Sequence, residues 1–176
     1  MDAADLPPSS WVRRFAGRVP AGPVLDLAAG GARHSRLFLS LGHPVTAVDR
    51  DLAGLAGLAG EPDFEAIAAD LEDGSPWPLG LRRFAGVIVT NYLHRPILPA
   101  IVAAVAPGGI LLYETFARGN ERLGKPSNPA FLLEPGELID AVADSLEILA
   151  YEHGEVTEPR PAVMQRIAAI RPTVAA

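Results

Sequence analysis

The stretch "VLDLAAGGARHS", Val24 to Ser35, decides how this chain is read. A short apolar strand, Val24 to Leu27, carries an aspartate and runs into a turn of residues with little or no side chain. Gly30 and Gly31 let a ligand approach the main chain, and the helix that starts at Arg33 offers unpaired N–H groups at its N-terminus. Leu37, Phe38 and Leu41 keep helical spacing, Gly42 is placed to end the helix, and Val45 to Val48 reads as a second buried strand. The unit is β-α-β.

The alternation continues on both sides. Upstream, Ser9 or Ser10 caps a short helix over Trp11 to Arg18, and "VPAGP" breaks it before the first strand. Downstream come a weak glycine-rich helix in "LAGLAGLAG" (Leu52 to Gly60), where the triplets look like filler, and strands at Phe64 to Ala68 and Gly86 to Thr90. A helix over Ile97 to Val105 is stopped by "APGG", which opens a strand at Ile110 to Glu114. After the polar loop Phe116 to Asn128 come a helix over Glu134 to Ala143 and two closing strands, Leu146 to Tyr151 and Val163 to Ile170, joined by "EHGEVTEPRP". Strands alternating with helices imply a mostly parallel sheet covered on both faces, and the closing pair implies one antiparallel strand at its edge.

Composition narrows the function. With 176 residues and 49% apolar content the expectation is one domain with a full core. The absence of cysteine excludes disulfides, thiolate nucleophiles and Cys-based zinc sites, and the four scattered histidines point to no metal. A formal charge of −6 argues against a general nucleic-acid binder. No apolar run reaches membrane-spanning length and "MDAADLPPSS" lacks the pattern of an export signal, so the expectation is a cytoplasmic protein without a membrane partner, monomeric or homodimeric.

The turn itself excludes more. Ala28, Ala29 and Ala32 stand where a G-x-G-x-x-G fingerprint needs glycine, and no G-x-x-x-x-G-K-[ST] loop exists, so neither NAD nor ATP is favoured. Asp26 would repel phosphates and suits a cationic ligand. Asp49, ending the second strand, suits two ribose hydroxyls, and Asp70 follows the third strand. One phosphate-free ligand with an amino group, a ribose and an exocyclic amine would occupy all three carboxylates.

The segments "VLDLAAGGARHS", "VTAVD", "AADL" and "VIVTNYLHR", in that order, resemble the class I S-adenosylmethionine-dependent methyltransferases. The start of the first long helix and the ending "FLLEPGEL…YEHGEV…VMQRIAAIR" are similar to the tellurite-resistance and related small-molecule methyltransferases. The resemblance implies a Rossmann-like three-layer α/β/α sandwich with a seven-stranded sheet and S-adenosylmethionine as cofactor. Carried over by position, Asp26 and the turn Ala28, Ala29, Gly30 and Ala32 with Arg33 surround the methionine portion, Asp49 and Arg50 the ribose, and Asp70 with Leu71 the adenine. Asn91 and Tyr92 lie near the sulfonium. The sequence departs from the family's D-x-G-x-G-x-G by having Ala28 and Ala32 at the first and third glycine positions, which weakens the site if either needs a positive φ.

For the chemistry, His94 is the expected base if the acceptor carries a proton, with Glu114 second. Arg118, Asn120 and Arg122 in the loop 116–128 are expected to form a substrate lid, and Trp11 to contact substrate from an N-terminal flap over 1–23. The expected acceptor is a small molecule. A tRNA or protein methyltransferase, and a non-catalytic cofactor-binding or scaffold subunit, remain as alternatives.

Overall fold

A computed structural model describes residues 6–173, so the first five positions of the expected flap and residues 174–176 lie outside the described residues. The chain forms α1 (Ser10–Ala16), β1 (Val24–Leu27), α2 (Arg33–Ser40), β2 (Val45–Asp49), β3 (Phe64–Ala68), β4 (Phe84–Thr90), α3 (Leu98–Ala103), β5 (Val105–Phe116), α4 (Glu137–Val142), β6 (Glu147–Val156) and β7 (Ala162–Ile170). These strands make one seven-stranded sheet in the order β3-β2-β1-β4-β5-β7-β6. All neighbours from β3 to β5 are parallel, and β7 is antiparallel to both β5 and β6. The antiparallel strand of the closing pair therefore sits next to the edge, with β6 outermost.

The two faces of β1 explain the layers. Leu25 and Leu27 point to one side, where Val87, Leu111, Ile101 and Leu138 complete the main core beneath α3 and α4. Val24 points to the other, among Trp11, Phe15, Phe38 and Ile88 under α1 and α2. Strict alternation puts Asp26 on the Val24 side, facing α2. Ser9 caps α1 by accepting from the Trp11 and Val12 N–H groups, and Gly42 at φ 84° lets the chain turn away after α2.

Three expectations need adjustment. The helix expected over Ile97 to Val105 ends at Ala103, because Val105 already pairs with Phe84 and "APGG" forms an irregularity within β5. Gly109 lies so close to the Phe84 and Ala106 carbonyls that a Cβ would meet both at 2.8 Å. Half of the connection "EHGEVTEPRP" is strand: β6 pairs with β7 as far as Val156, leaving 157–161 as the turn. "LAGLAGLAG" forms a 3-10 helix, Ala53–Leu58, in which Gly54 is no filler. A Cβ there would lie 2.1 Å from the Gly30 carbonyl oxygen, so only glycine lets this segment pack on the turn. No helix among the described residues is long and apolar enough to cross a membrane.

Candidate functional site

The carboxyl ends of the parallel strands gather the residues of interest along one edge. At the β2 end, Asp49 Oδ2 accepts the Gly30 N–H at 2.8 Å and Oδ1 accepts the Asp51 N–H at 3.0 Å, tying the small-residue turn to the second strand. Ala28 and Ala32 hold φ of 54° and 63°, so both positions do use the left-handed backbone for which glycine is suited. The Ala29 and Ala32 side chains are buried with Ala47, Leu55 and Leu58, so these two residues can offer a ligand only their main chain.

Asp26 is placed differently from expectation. Its carboxylate lies beneath the turn, only 2% exposed, and accepts the Ser35 hydroxyl at 2.6 Å. Burial raises its pKa from 3.8 to about 7, against the lowering effect of Ser35. It braces β1 against α2 rather than facing the open edge. Neighbouring His34 is also buried, its Nε2 accepting the Ser9 N–H at 3.1 Å, and burial followed by the Arg33 charge pushes its pKa down to about 3.

On the β3 side, a cavity of about 300 Å³ is lined by Asp70, Leu71, Trp77 and Ile97. Asp70 Oδ1 accepts the Glu72 N–H at 2.9 Å. Tyr92 carries a buried hydroxyl with no hydrogen-bond partner among the described residues. Burial first, then Glu72 and Asp70, keep that phenol protonated, while Arg50 acts the other way.

On the β4–β5–β7 side a larger cavity, about 580 Å³, is lined by Arg33, Asn91, Glu114, Phe116 and residues of three other segments. These segments are the N-terminal stretch Leu6 to Ser10 with Arg13, the turn region Val156 to Arg160, and Met164 with Arg166 on β7. Asn91 holds φ 55° and its N–H donates to the Glu114 carbonyl, fixing the β4 exit beside β5. Glu114 is 4% exposed, and Oε2 lies 2.9 Å from Arg166 Nε. That spacing permits ionic attraction, but neither atom has a hydrogen-bond partner among the described residues. Cross-strand register extends the ion pair into a ladder: Glu114 faces Arg166, and Arg166 faces Glu152, whose carboxylate meets Arg14 at 3.1 Å.

Several expected site residues fall elsewhere. His94 does not line this cavity. Trp11 is 2% exposed, donates its indole N–H to the Ile167 carbonyl and packs on Phe15, so it belongs to the core. Asn120 is buried, its amide donating to the Pro126 carbonyl and accepting the Val163 N–H. Arg118 pairs with Glu134 at 3.4 Å and Arg122 folds back on the Gly119 carbonyl. None of Arg118, Asn120 and Arg122 lines the cavity, because main-chain bonds from Ala117 to Val163 and from Arg118 to Leu133 pin the loop to its neighbours. The cavity is instead covered by the N-terminal stretch, which Arg33 holds by donating to the Pro7 carbonyl at 3.2 Å. Arg160 and Arg166 were missed by sequence reasoning, and Arg13 figured only in "RRF" as a docking face of the tRNA or protein alternative; Arg166, a charge inside the apolar strand "AVMQRIAAI", stands out in the sequence.

The seven-stranded fold is shared with solved structures. TehB from Haemophilus influenzae matches with a TM-score of 0.69 at 20% identity over 92% of this chain, which spans 61% of that protein's length. The fold is that of the class I S-adenosylmethionine-dependent methyltransferases. Burkholderia thailandensis 1,6-didemethyltoxoflavin-N1-methyltransferase, solved with 1,6-didemethyltoxoflavin and S-adenosylhomocysteine, matches with a TM-score of 0.66 at 26% identity over 97% of this chain and 79% of that one. The glycopeptide N-methyltransferase MtfA, complexed with S-adenosylhomocysteine, matches with a TM-score of 0.62 at 22% identity, over 96% of this chain and 91% of that one. No protein-family model matches the chain, and comparison with curated protein sequences gives no match.

Proposed function

We propose that this protein is an S-adenosylmethionine-dependent methyltransferase acting on a small-molecule acceptor. The observation that carries this reading is the pairing of Asp49 with the Gly30 N–H at the edge of the turn, between a cavity bearing Asp70 and a larger one bearing Asn91 and Glu114. The methyltransferases of known structure with the same fold support it.

The residues fit the cofactor. Gly30 and Gly31 place no side chain at the centre of the turn, Asp49 retains lone pairs for ribose hydroxyls, and the Tyr92 hydroxyl lies beside Glu72 and Asp70. In this reading Asp70 and Leu71 hold the adenine, Asp49 and Arg50 the ribose, and the turn with Arg33 the methionine end. S-adenosylmethionine supplies, when bound, a methyl group on a cationic sulfur, transferred to an acceptor lone pair as the carbon–sulfur bond breaks and a neutral thioether leaves.

The protein's own part is alignment and exclusion of water. Asn91, fixed by its bond to the Glu114 carbonyl, holds the β4 exit in place, and the N-terminal stretch closes the outer side. If the acceptor loses a proton, Glu114 rather than His94 is positioned to take it, since Glu114 lines the acceptor cavity. Ala28 and Ala32 both hold a positive φ, the condition under which the turn was expected to weaken the site, so cofactor binding is what separates a working site from the scaffold reading.

Calorimetric titration with S-adenosylhomocysteine tests the reading. Asp49→Ala should weaken binding by roughly thirtyfold or more, because it removes a charged partner of two hydroxyls. Absence of binding to the unaltered protein, or equal affinity in the variant, would defeat the cofactor assignment.

A further inference from the structure

The larger cavity carries chemical information about the acceptor that the cofactor residues do not. Its floor and its mouth differ. At the floor, Glu114 is buried with Oε2 2.9 Å from Arg166 Nε in an ion pair that makes no hydrogen bond, so the carboxylate keeps acceptor capacity for a bound donor. Arg13 and Arg160 are exposed at the mouth, and half-buried Arg33 lies between. Arg33 and Arg160 donate to the main-chain carbonyls of Pro7 and Lys125, and among the described residues none of the three guanidiniums forms a salt bridge. Four arginines line the cavity against Glu114 and Glu158, so the balance is positive although the whole chain carries −6. The walls between are apolar, formed by Pro7, Pro8, Phe116, Val156 and Met164.

We propose that this cavity takes an organic anion with an apolar body, whose anionic group meets Arg13 and Arg160 at the mouth, leaving Arg33 to the cofactor, and whose N–H or O–H donates to Glu114. A volume of about 580 Å³ suits an organic molecule, whereas a small inorganic oxyanion would leave the apolar walls uncovered. Guanidiniums favour carboxylate and sulfonate groups because their N–H pairs match two oxygens at once. The inference concerns the acceptor of the proposed methyl transfer and rests on that reading for its role, but not for its test.

Anilinonaphthalene sulfonate has an aromatic body, a secondary N–H and one anionic group. N-phenylnaphthylamine is the same molecule without the sulfonate. Fluorescence titration of the full chain with each, in the presence of saturating S-adenosylhomocysteine, should show the sulfonate binding about tenfold or more tightly, the effect of one charge-assisted contact. Arg13→Gln and Arg160→Gln should each weaken the sulfonate about fivefold or more and leave the neutral probe unchanged, while Arg18→Gln, the same charge change away from the cavity, alters neither. Equal affinity for the two probes, failure of both to bind, displacement of the sulfonate by S-adenosylhomocysteine, or an equal effect of Arg18→Gln would overturn the inference. Calorimetry with S-adenosylhomocysteine separates the two readings. Cofactor binding without charge selectivity retains the methyltransferase and rejects the organic anion. Charge selectivity without cofactor binding, read with the same probes alone, does the reverse.

Discussion

The β1–β2–β3 end of the sheet and the β5–β7–β6 end hold their charges in different ways. At the first, Asp49 and Asp70 sit at strand ends and each accepts the N–H two residues on, while Asp49 also accepts the Gly30 N–H from the turn after β1. At the second, Glu114, Arg166 and Glu152 face one another across three strands, brought together only by register. Local main-chain bonds hold a carboxylate at an accessible edge whatever happens farther away. A cross-strand ladder depends on every member, and its inner pair is withdrawn from water: Glu114 and Arg166 side chains are 5% and 14% exposed.

The sharpest way to break this comparison is Arg166→Met. It removes the cation paired with the buried Glu114 carboxylate, leaving only the more distant Arg33, and unfolding in urea should show a loss of about 3 kcal/mol. Arg14→Ala at the outer end of the same ladder, where both side chains are half exposed, should cost about 1 kcal/mol or less. Similar values for the two variants would mean that the ladder is solvated throughout and that depth does not distinguish its ends.

A second contrast lies between two buried groups under α2. Folding raises the pKa of Asp26 from 3.8 to about 7 by burial, so the folded state keeps a proton that the unfolded chain has released. The stability from that proton is fully present below 3.8 and is lost as pH rises toward 7. Folding lowers the pKa of His34 from 6.5 to about 3, again by burial, so its contribution is present above 6.5 and is lost as pH falls toward 3. Between 3.8 and 6.5 the two oppose each other and flatten the pH dependence. Asp26→Asn should stabilise the protein on the order of 3 kcal/mol at about pH 8 and hardly at all below pH 4, judged by thermal or urea unfolding across that range. The variant should also lose stability more steeply on acidification than the unaltered protein, because His34 then acts alone. A uniform gain at all pH values would show that Asp26 is ionised in the fold.

These contrasts explain what the sequence shows and what it hides. The turn, α2 and the acidic ends of β2 and β3 are legible because each is a short contiguous pattern: an apolar run, a small-residue turn, then helical spacing. The burial of Asp26 was not read from the sequence, where its charge suggested a ligand; in the fold it lies opposite Leu25 and Leu27 and turns toward α2. The larger cavity was legible only in part: Asn91 and Glu114 end strands and were expected at the site, but Arg13, Arg160 and Arg166 come from separate segments that the fold alone brings to it. The polar loop after β5 misled for a related reason. Its charges suggested a lid, but its buried Asn120 bonds both Pro126 and Val163 and so ties the loop to β7. Trp11 misled because an aromatic residue near a cavity and one in the core beside it leave the same mark in sequence.

The smallest expected effect tests the turn itself. Ala28 and Ala32 both hold a left-handed backbone, which costs a residue with a Cβ roughly 1 to 2 kcal/mol relative to glycine. Glycine at either position also makes the unfolded chain more flexible, a loss of about 0.4 to 1 kcal/mol. For half-buried Ala28 those two contributions are the main ones, and Ala28→Gly should stabilise by roughly 0.5 to 1 kcal/mol. The Ala32 methyl is fully buried against Ala29, Ala47, Leu55 and Leu58, and its removal forfeits about 0.8 kcal/mol of burial as well. Ala32→Gly should therefore lie within about 0.5 kcal/mol of the unaltered protein. Urea unfolding of the two variants decides whether strain or packing governs the turn. A gain at both positions would mean strain alone, and a loss at both would mean that the left-handed alanines are held at no cost by the Gly30–Asp49 bond and the close approach of Gly54.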